Sequence, residues 1–333
     1  MHNSNYRQIS KYHYNWWKII IIILLFPIVV ILSLLFAIKF LPYLFKYPRY
    51  GFSKSLGVEI NSVDHYKLDI KEKGLMNLDA PSELFKEIVI KGSKGDISAV
   101  YLINPNSNKW IIGLHGFKRN KYMGIRNVMH FYQQGYNIIS FDGYAHGKTY
   151  GTKSDFGITN ALVLDNVISH IKEIHNPSEL GILGVSLGAS SALYWAQNYY
   201  TENQVDWLIA DCAFSQAVPQ IRFFLQKYIK IPWYLMSLGI NFNFKIVSKS
   251  WIKKFNLLKS WSTTKGLPIL FIHGEKDAFI TLSNAYVMYD MKAIVDAKTE
   301  IAIFSNADHS ESIVKDFDKY NSLTTQFKQK YIK

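Results

Sequence analysis

The sequence predicts an α/β chain: a mostly parallel central sheet with helices on both faces, an inserted helical cap and an N-terminal transmembrane helix. Three observations lead there. Short apolar runs alternate with amphipathic stretches over most of the chain, the pattern of strand–helix units joined by right-handed crossovers. A run of twenty uncharged residues, IIIIILLFPIVVILSLLFAI, occupies 19–38. Near residue 216 the alternation stops for about fifty residues, then resumes.

At 333 residues the chain has room for one large domain or two ordinary ones. With 49% hydrophobic and 19% charged residues it is not a disordered chain. The single cysteine, Cys212, excludes a disulfide framework and a cysteine-built zinc site. The formal charge of +13 first suggests a polyanion as partner. Its distribution says otherwise: residues 1–54 carry +7 and no acid, residues 216–265 carry +9 and no acid, and the remainder is at −3. No nucleic-acid recognition motif accompanies the charge, so a nucleic-acid partner is not expected.

The elements follow in order. Residues 1–18 are a short polar and basic tail, and 19–38 are the transmembrane anchor, long enough for a hydrocarbon core of about 30 Å. Lys18 and Lys39 bracket the run, with Trp16, Trp17, Tyr43 and Tyr47 beyond its ends, where amphipathic rings favour the headgroup level. The next residues, KFLPY, contain no small-x-small cleavage site, so the segment reads as an uncleaved signal anchor. Basic residues on its two sides are nearly balanced. A short tail before a long C-terminal part favours N-in, C-out, which places the globular part outside the cytoplasm.

Residues 39–85 are expected to be linker and a membrane-proximal segment ending in a helix. Residues 86–215 form the first part of the core. Strands at 87–91 and 97–103 make a hairpin around GSKG, and a buried strand follows at 110–115. A helix at 125–134 ends at Gly135, and a strand follows at 136–141. Next come a helix at 158–175, a strand at 180–185, a helix at 187–199 and a strand at 205–211. Residues 216–265, with ten aromatic and nine basic residues, read as a helical cap. Residues 266–333 complete the core with strands at 268–273 and 300–304.

Chemistry concentrates at strand ends. Gly184-Val185-Ser186-Leu187-Gly188 is a G-x-S-x-G motif with an apolar strand running in and a small-residue helix running out. A nucleophile elbow needs this context: a serine on a tight strand-to-helix turn, with glycines that let the two elements approach. A serine hydroxyl is a poor nucleophile until a base takes its proton, and that base is best a histidine oriented by a carboxylate. Asp277, in HGEKD, and His309, in ADHSE, follow later strands in the order Ser, acid, His. Glu275 is a second candidate acid and Asp211 a weaker one, while Asp308 is read as a loop residue. His115, His146 and His273 each precede glycine. Without an i,i+4 pair or carboxylate cluster they read as turn residues bonding backbone, and no metal is expected. The backbone N–H groups of Phe117 and Leu187 are the candidate oxyanion donors.

These blocks resemble the α/β-hydrolase fold superfamily, and within it bacterial membrane-anchored or secreted serine hydrolases of the esterase and prolyl-oligopeptidase-like groups. The resemblance covers about residues 85–330. It rests on His115-Gly116, on Asp142-Gly143-Tyr144-Ala145-His146-Gly147-Lys148, on the elbow, on Asp211-Cys212, on the HGEKD block and on the last histidine. Tyr144 stands where the superfamily often has arginine, and Ala307 where it often has glycine. The resemblance implies Ser186 as nucleophile, His309 as base and Asp277 as orienting acid, with no metal and no organic cofactor. It implies a carboxylesterase-like hydrolase of a small-molecule or lipid ester, acting through an acyl-enzyme. A serine peptidase or acyltransferase on the same triad, and a non-catalytic binding module with this fold, are the alternatives. The basic, aromatic cap and the tether together suggest a membrane surface as partner.

Overall fold

The computed structural model describes residues 16–45, 47–230, 233 and 236–332, so most of the expected polar tail lies outside the described residues. Helix α1 (Trp16–Phe45) runs unbroken through Pro27. Its N-terminal half is largely exposed, and its buried positions are Ser33 and Ala37. Nothing is described of the side chains at 18, 19, 22 and 39–45, and among the described residues no helix is long and apolar enough to cross a membrane.

Residues 39–85 hold more structure than a linker. A hairpin of β1 (Gly51–Ser53) and β2 (Val58–Ile60) leads into α2 (Val63–Glu72), which is N-capped by Ser62. Arg49 donates to the carbonyls of His146, Thr149 and Gly151 at 3.0, 2.7 and 2.9 Å. Tyr47 Oη donates to the carbonyl of Ala145 at 3.2 Å. The loop that carries Tyr144 in place of an arginine is thus braced by a guanidinium from the N-terminal segment. Backbone carbonyls have no sequence signature, so this tie cannot be read from the sequence.

The main sheet has eight strands in the order β10-β9-β8-β7-β5-β6-β4-β3. β3 (Lys86–Gly92) and β4 (Gly95–Leu102) form the expected hairpin, and β4 pairs antiparallel with β6. The other six are parallel: β5 (Lys109–Leu114), β6 (Asn137–Phe141), β7 (Glu179–Val185), β8 (Trp207–Asp211), β9 (Ile269–Gly274) and β10 (Thr299–Phe304). Every residue of β6, β7, β8 and β9 is buried, as befits parallel strands covered on both faces.

Helices α3 (Lys121–Gln133), α4 (Ile158–His175) and α5 (Leu187–Asn198) connect the first parallel strands. α3 begins a turn earlier than its apolar period suggested, because the Asn120 side chain accepts the N–H groups of Tyr122 and Met123. The cap contributes α6 (Ala217–Phe224) and α7 (Ser237–Ser248), with a π turn at Leu225–Ile229. α8 (Ser283–Val295), α9 (Ser312–Lys315) and α10 (Phe317–Tyr331) complete the chain. One core lies between the sheet and α4, α5, α8 and the cap, and the other between the sheet and α2, α3, α9 and α10.

α7 packs on α1. The Gly239 N–H donates to Ser33 Oγ at 2.8 Å, and a Cβ at position 239 would fall 2.0 Å from the Ser33 carbonyl oxygen. Only a residue without a side chain permits that approach. On α7, Leu238, Phe242 and Ile246 step by four residues and are 47%, 55% and 60% exposed.

A buried ion pair joins α2 to α3. Arg126 Nη1 is 2.8 Å from Asp69 Oδ2, and both residues are 8% exposed. Removing one partner leaves an uncompensated buried charge, which typically costs about 3–5 kcal/mol. Arg126→Met is therefore expected to lower the unfolding free energy by that much, measured by denaturant titration monitored by tryptophan fluorescence. Unchanged stability would contradict it.

Candidate active site

The strand order reverses around β5: the chain steps from β5 to β6 on one side, then crosses back to β7 on the other. In an open α/β sheet the crevice at such a point, beyond the carboxyl ends of the strands, is where ligands bind. β5 leads through His115 into Gly116-Phe117, and β7 leads directly into Ser186. A Cβ on Gly116 would lie 3.4 Å from the Cβ of Ser186, so the two loops are in near contact.

Ser186 has φ 56° and ψ −118°, a conformation that strains a residue with a side chain. Such strain costs on the order of 1–3 kcal/mol and persists only where the surroundings enforce it. The glycines explain how. A Cβ at Gly184 would lie 2.6 Å from the Ala189 nitrogen, and one at Gly188 2.7 Å from the carbonyl oxygens of Leu114 and His115. The Ser186 N–H donates to the Asp211 carbonyl at 2.8 Å, which ties the turn to β8. Oγ is thereby held at the sheet edge on a residue only 5% exposed.

The structure brings Ser186, His309 and Asp277 together. His309 Nε2 lies 2.9 Å from Ser186 Oγ, and its Nδ1 lies 2.8 Å from Asp277 Oδ2. The Asp277 side chain is fully buried. Burial alone would push its carboxyl up. Hydrogen bonds from His273, His309 and the Ile280 N–H outweigh that and hold it well below the usual carboxylate range. An ionised Asp277 accepts from Nδ1–H, which leaves Nε2 unprotonated and facing the hydroxyl. Phe279 covers the imidazole with ring centroids 5.0 Å apart. Among the described residues, neither the Phe117 nor the Leu187 N–H has a hydrogen-bond partner. A serine so placed can be deprotonated by imidazole, and two free N–H groups beside it can receive an oxyanion.

The other candidates fall elsewhere. Glu275 is exposed, and Asp308 accepts the N–H groups of Ala278 and His309 at 2.9 and 2.7 Å. Asp211 Oδ1 accepts from Ser312 Oγ at 3.1 Å. His115 accepts the Gly143 N–H on Nε2 and donates from Nδ1 to the Gly116 carbonyl, at 2.9 and 2.7 Å. His146 accepts the Lys118 N–H at 3.2 Å and donates to the Tyr144 carbonyl at 2.9 Å. These two bonds per ring shape both loops. His273 donates from Nε2 to the Ile280 carbonyl at 2.8 Å and lies 3.4 Å from Asp277 Oδ2. From sequence it reads only as a turn residue, since its distance from Asp277 depends on how the loop after β9 folds back. Asp142 is the hub of the loop: it accepts from Asn61 Nδ2 and from the Lys121 and Lys148 N–H groups at 2.9, 2.9 and 3.0 Å.

Cys212, Asp277 and His309 are the described residues whose ligand atoms cluster closely enough to suggest a metal. Their donors are otherwise committed. His309 Nδ1 and Asp277 bond each other, and burial pushes the Cys212 thiol up, which keeps it protonated beside Ser310.

Comparison with known proteins places the fold. Residues 109–232 match the family model described as the alpha/beta hydrolase fold. Uncharacterized protein YqkD of Bacillus subtilis is 26% identical over 234 residues, which cover 70% of this chain and 75% of YqkD. The esterase Pf2001 of Pyrococcus furiosus superposes with a TM-score of 0.62 at 20% identity, over 77% of this chain and 97% of the esterase. An acylaminoacyl peptidase of Pyrococcus horikoshii superposes at 0.57 and 18% identity, over 74% of this chain and 41% of the peptidase. The chain has the α/β-hydrolase fold, with a serine, a histidine and an aspartate meeting where that fold carries its ligands.

Two outcomes follow from this geometry. Asp277→Asn should leave the fold intact yet lower turnover about 10³–10⁴-fold, because the neutral amide no longer enforces the tautomer; a loss under tenfold in a hydrolytic assay would contradict it. The second concerns Asp211, whose carboxyl burial pushes up to about 6. The folded chain holds that proton more tightly than the unfolded one, so this group's stabilising effect is lost as pH rises from about 4 through about 6. Asp211→Asn should flatten that part of the pH dependence of the denaturant midpoint, and an unaltered slope would count against it.

Proposed function

We propose that this protein is a membrane-anchored serine hydrolase that cleaves a carboxylic ester, lipid-derived, through a Ser186–His309–Asp277 triad. The observation that carries the reading is the continuous hydrogen-bonded chain from Ser186 Oγ through His309 to Asp277, at 2.9 and 2.8 Å, on a strained elbow. Ser186 Oγ attacks the ester carbonyl while its proton passes to His309 Nε2. The oxyanion is received by the N–H groups of Phe117 and Leu187. The carbon–oxygen bond to the alcohol breaks, and His309 returns the proton to the departing oxygen. Water, deprotonated by the same nitrogen, then attacks the acyl-enzyme; the bond to Ser186 Oγ breaks, His309 returns the proton to Oγ, and the acid is released.

The acyl half has a fitting receptor. A cavity of about 240 Å³ beside Ser186 and Leu187 is lined mainly by Phe117, Phe156, Phe214, Ile221, Phe224 and Ile280, with Lys118 and Gln220 as its polar members. Such a wall favours an alkyl chain over a polar peptide. A peptidase or acyltransferase would use the same triad, and a binding module would not react at all.

Anchoring rests on the apolar run at 19–38 and on where the cap meets it. Ser33 lies five residues inside the C-terminal end of that run, about 7 Å at the helical rise. If α1 crosses the bilayer, α7 therefore lies within the near leaflet, with Leu238, Phe242 and Ile246 toward lipid. Close packing of a glycine on a serine is a usual way for helices to meet in lipid. Trp251 sits between Lys245 and Lys253, whose ammonium groups are 5.8 and 5.7 Å from its ring, an arrangement suited to headgroup level. The catalytic side is then extracytoplasmic, which protease accessibility in whole cells tests.

A fluorophosphonate probe should label the wild-type chain and not Ser186→Ala; a folded wild-type protein that stays unlabelled would favour the binding module. For the membrane reading, the chain should begin at Tyr47, because Tyr47 and Arg49 brace the site. It should float with anionic liposomes at low salt, and Phe242→Asp with Ile246→Asp should abolish flotation. Absence of flotation by the unsubstituted domain would sink the cap's membrane role.

A further inference from the structure

A second cavity, of about 280 Å³, meets Ser186 from the other side. Its polar lining is cationic in balance: Lys73, Arg119 and Arg126, against the single acid Glu311. Arg126 is committed to Asp69 at 2.8 Å and to Asn127 at 3.1 and 3.3 Å. Lys73 Nζ is 4.0 Å from Glu311 Oε1, so these two offset each other. Arg119 has no side-chain hydrogen bond or ion pair among the described residues, and it is exposed at the cavity wall. One uncompensated guanidinium therefore faces the space next to the reacting serine.

Which half of an ester enters this cavity follows from the chemistry. The leaving oxygen must lie beside the group that protonates it, His309. His309 lines the cationic cavity and not the apolar one, whereas Leu187, a candidate oxyanion donor, lines the apolar one. The acyl chain therefore lies among the phenylalanines and the alcohol half leaves toward Arg119.

We infer that the substrate is a single-chain acyl ester whose alcohol half bears an anion, phosphate or carboxylate, held by the Arg119 guanidinium. A planar guanidinium suits either oxyanion through paired N–H donors. This inference rests on the triad reading above and narrows its substrate class. The reaction is the one already written, with an anionic alcohol as the leaving group, and it needs no further reactant.

The test compares three octanoyl esters at monomeric concentrations, with the full-length protein in non-ionic detergent: those of glycerol, glycerol phosphate and glycerate. Fatty-acid release gives kcat/KM for each, and the quantity read is the ratio of anionic to neutral ester, from which any loss of folded protein cancels. The wild-type ratio is expected to be about tenfold or more, corresponding to about 1.4 kcal/mol. Arg119→Gln should cut it at least fivefold, and Arg119→Lys, which keeps the charge without the paired donors, should restore only part of it. Preference for both anionic esters supports a general anion site, and preference for the phosphate alone supports a phosphate site. A wild-type ratio near one, or a ratio that Arg119→Gln leaves unmoved, overturns the inference while ester hydrolysis itself stands. Cleavage of none of the three overturns the esterase reading and this inference with it.

Discussion

The site depends on one backbone constraint, the turn at Ser186. A residue with a side chain at φ 56° and ψ −118° is strained, and it stays there because glycine carbons at 184 and 188 let β7, α5 and the end of β5 close around it. The same closeness brings the Gly116-Phe117 loop against the serine, with the N–H groups of Phe117 and Leu187 unpartnered among the described residues. Were the turn to relax, Oγ would leave the sheet edge, and His309 and the oxyanion donors would address different points. Strain of a few kcal/mol is thus offset by packing and retained at the one place where the proposed chemistry would use it.

Around that turn the surroundings divide sharply. One wall is mainly phenylalanine and isoleucine from the cap and the loops, and the other carries guanidinium, ammonium and imidazole groups from the end of α2, the start of α3 and its preceding loop, and the final loop. An amphipathic molecule is oriented by such a division without any covalent help: burial of the chain and attraction of the head act at opposite ends. In the proposed reading the cap has two tasks, since α6 walls the apolar cavity and α7 rests on α1. Phe244 of α7 lies 5.7 Å, ring to ring, from Phe156 of the cavity wall. The surface proposed to meet lipid and the space proposed to hold an acyl chain are thus one residue layer apart.

The whole-chain charge of +13 also takes on a local meaning. Cations of the cap collect around Trp251, and Arg49 of the tether is spent on loop carbonyls. Arg119, outside both basic segments, is the cation that the proposed substrate would meet beside the serine. A net charge, even divided into segments, reports on surfaces and long-range attraction. It does not reveal which single charge lacks a partner.

By itself the sequence determined the order of strands and helices, the elbow, and Ser186, Asp277 and His309 as the residues to watch. Each of these is a local pattern: an apolar run of strand length, glycines two residues either side of a serine, an acid and a histidine just past strand ends. The tertiary structure decided what depends on distance between remote segments. It made Arg49 the brace of the 145–151 loop, seated Gly239 on Ser33 and separated a mainly apolar from a cationic cavity. Those contacts join residues up to 206 positions apart, and most involve backbone carbonyls or empty space. Neither has a letter in the sequence, so neither can be read until the chain has folded.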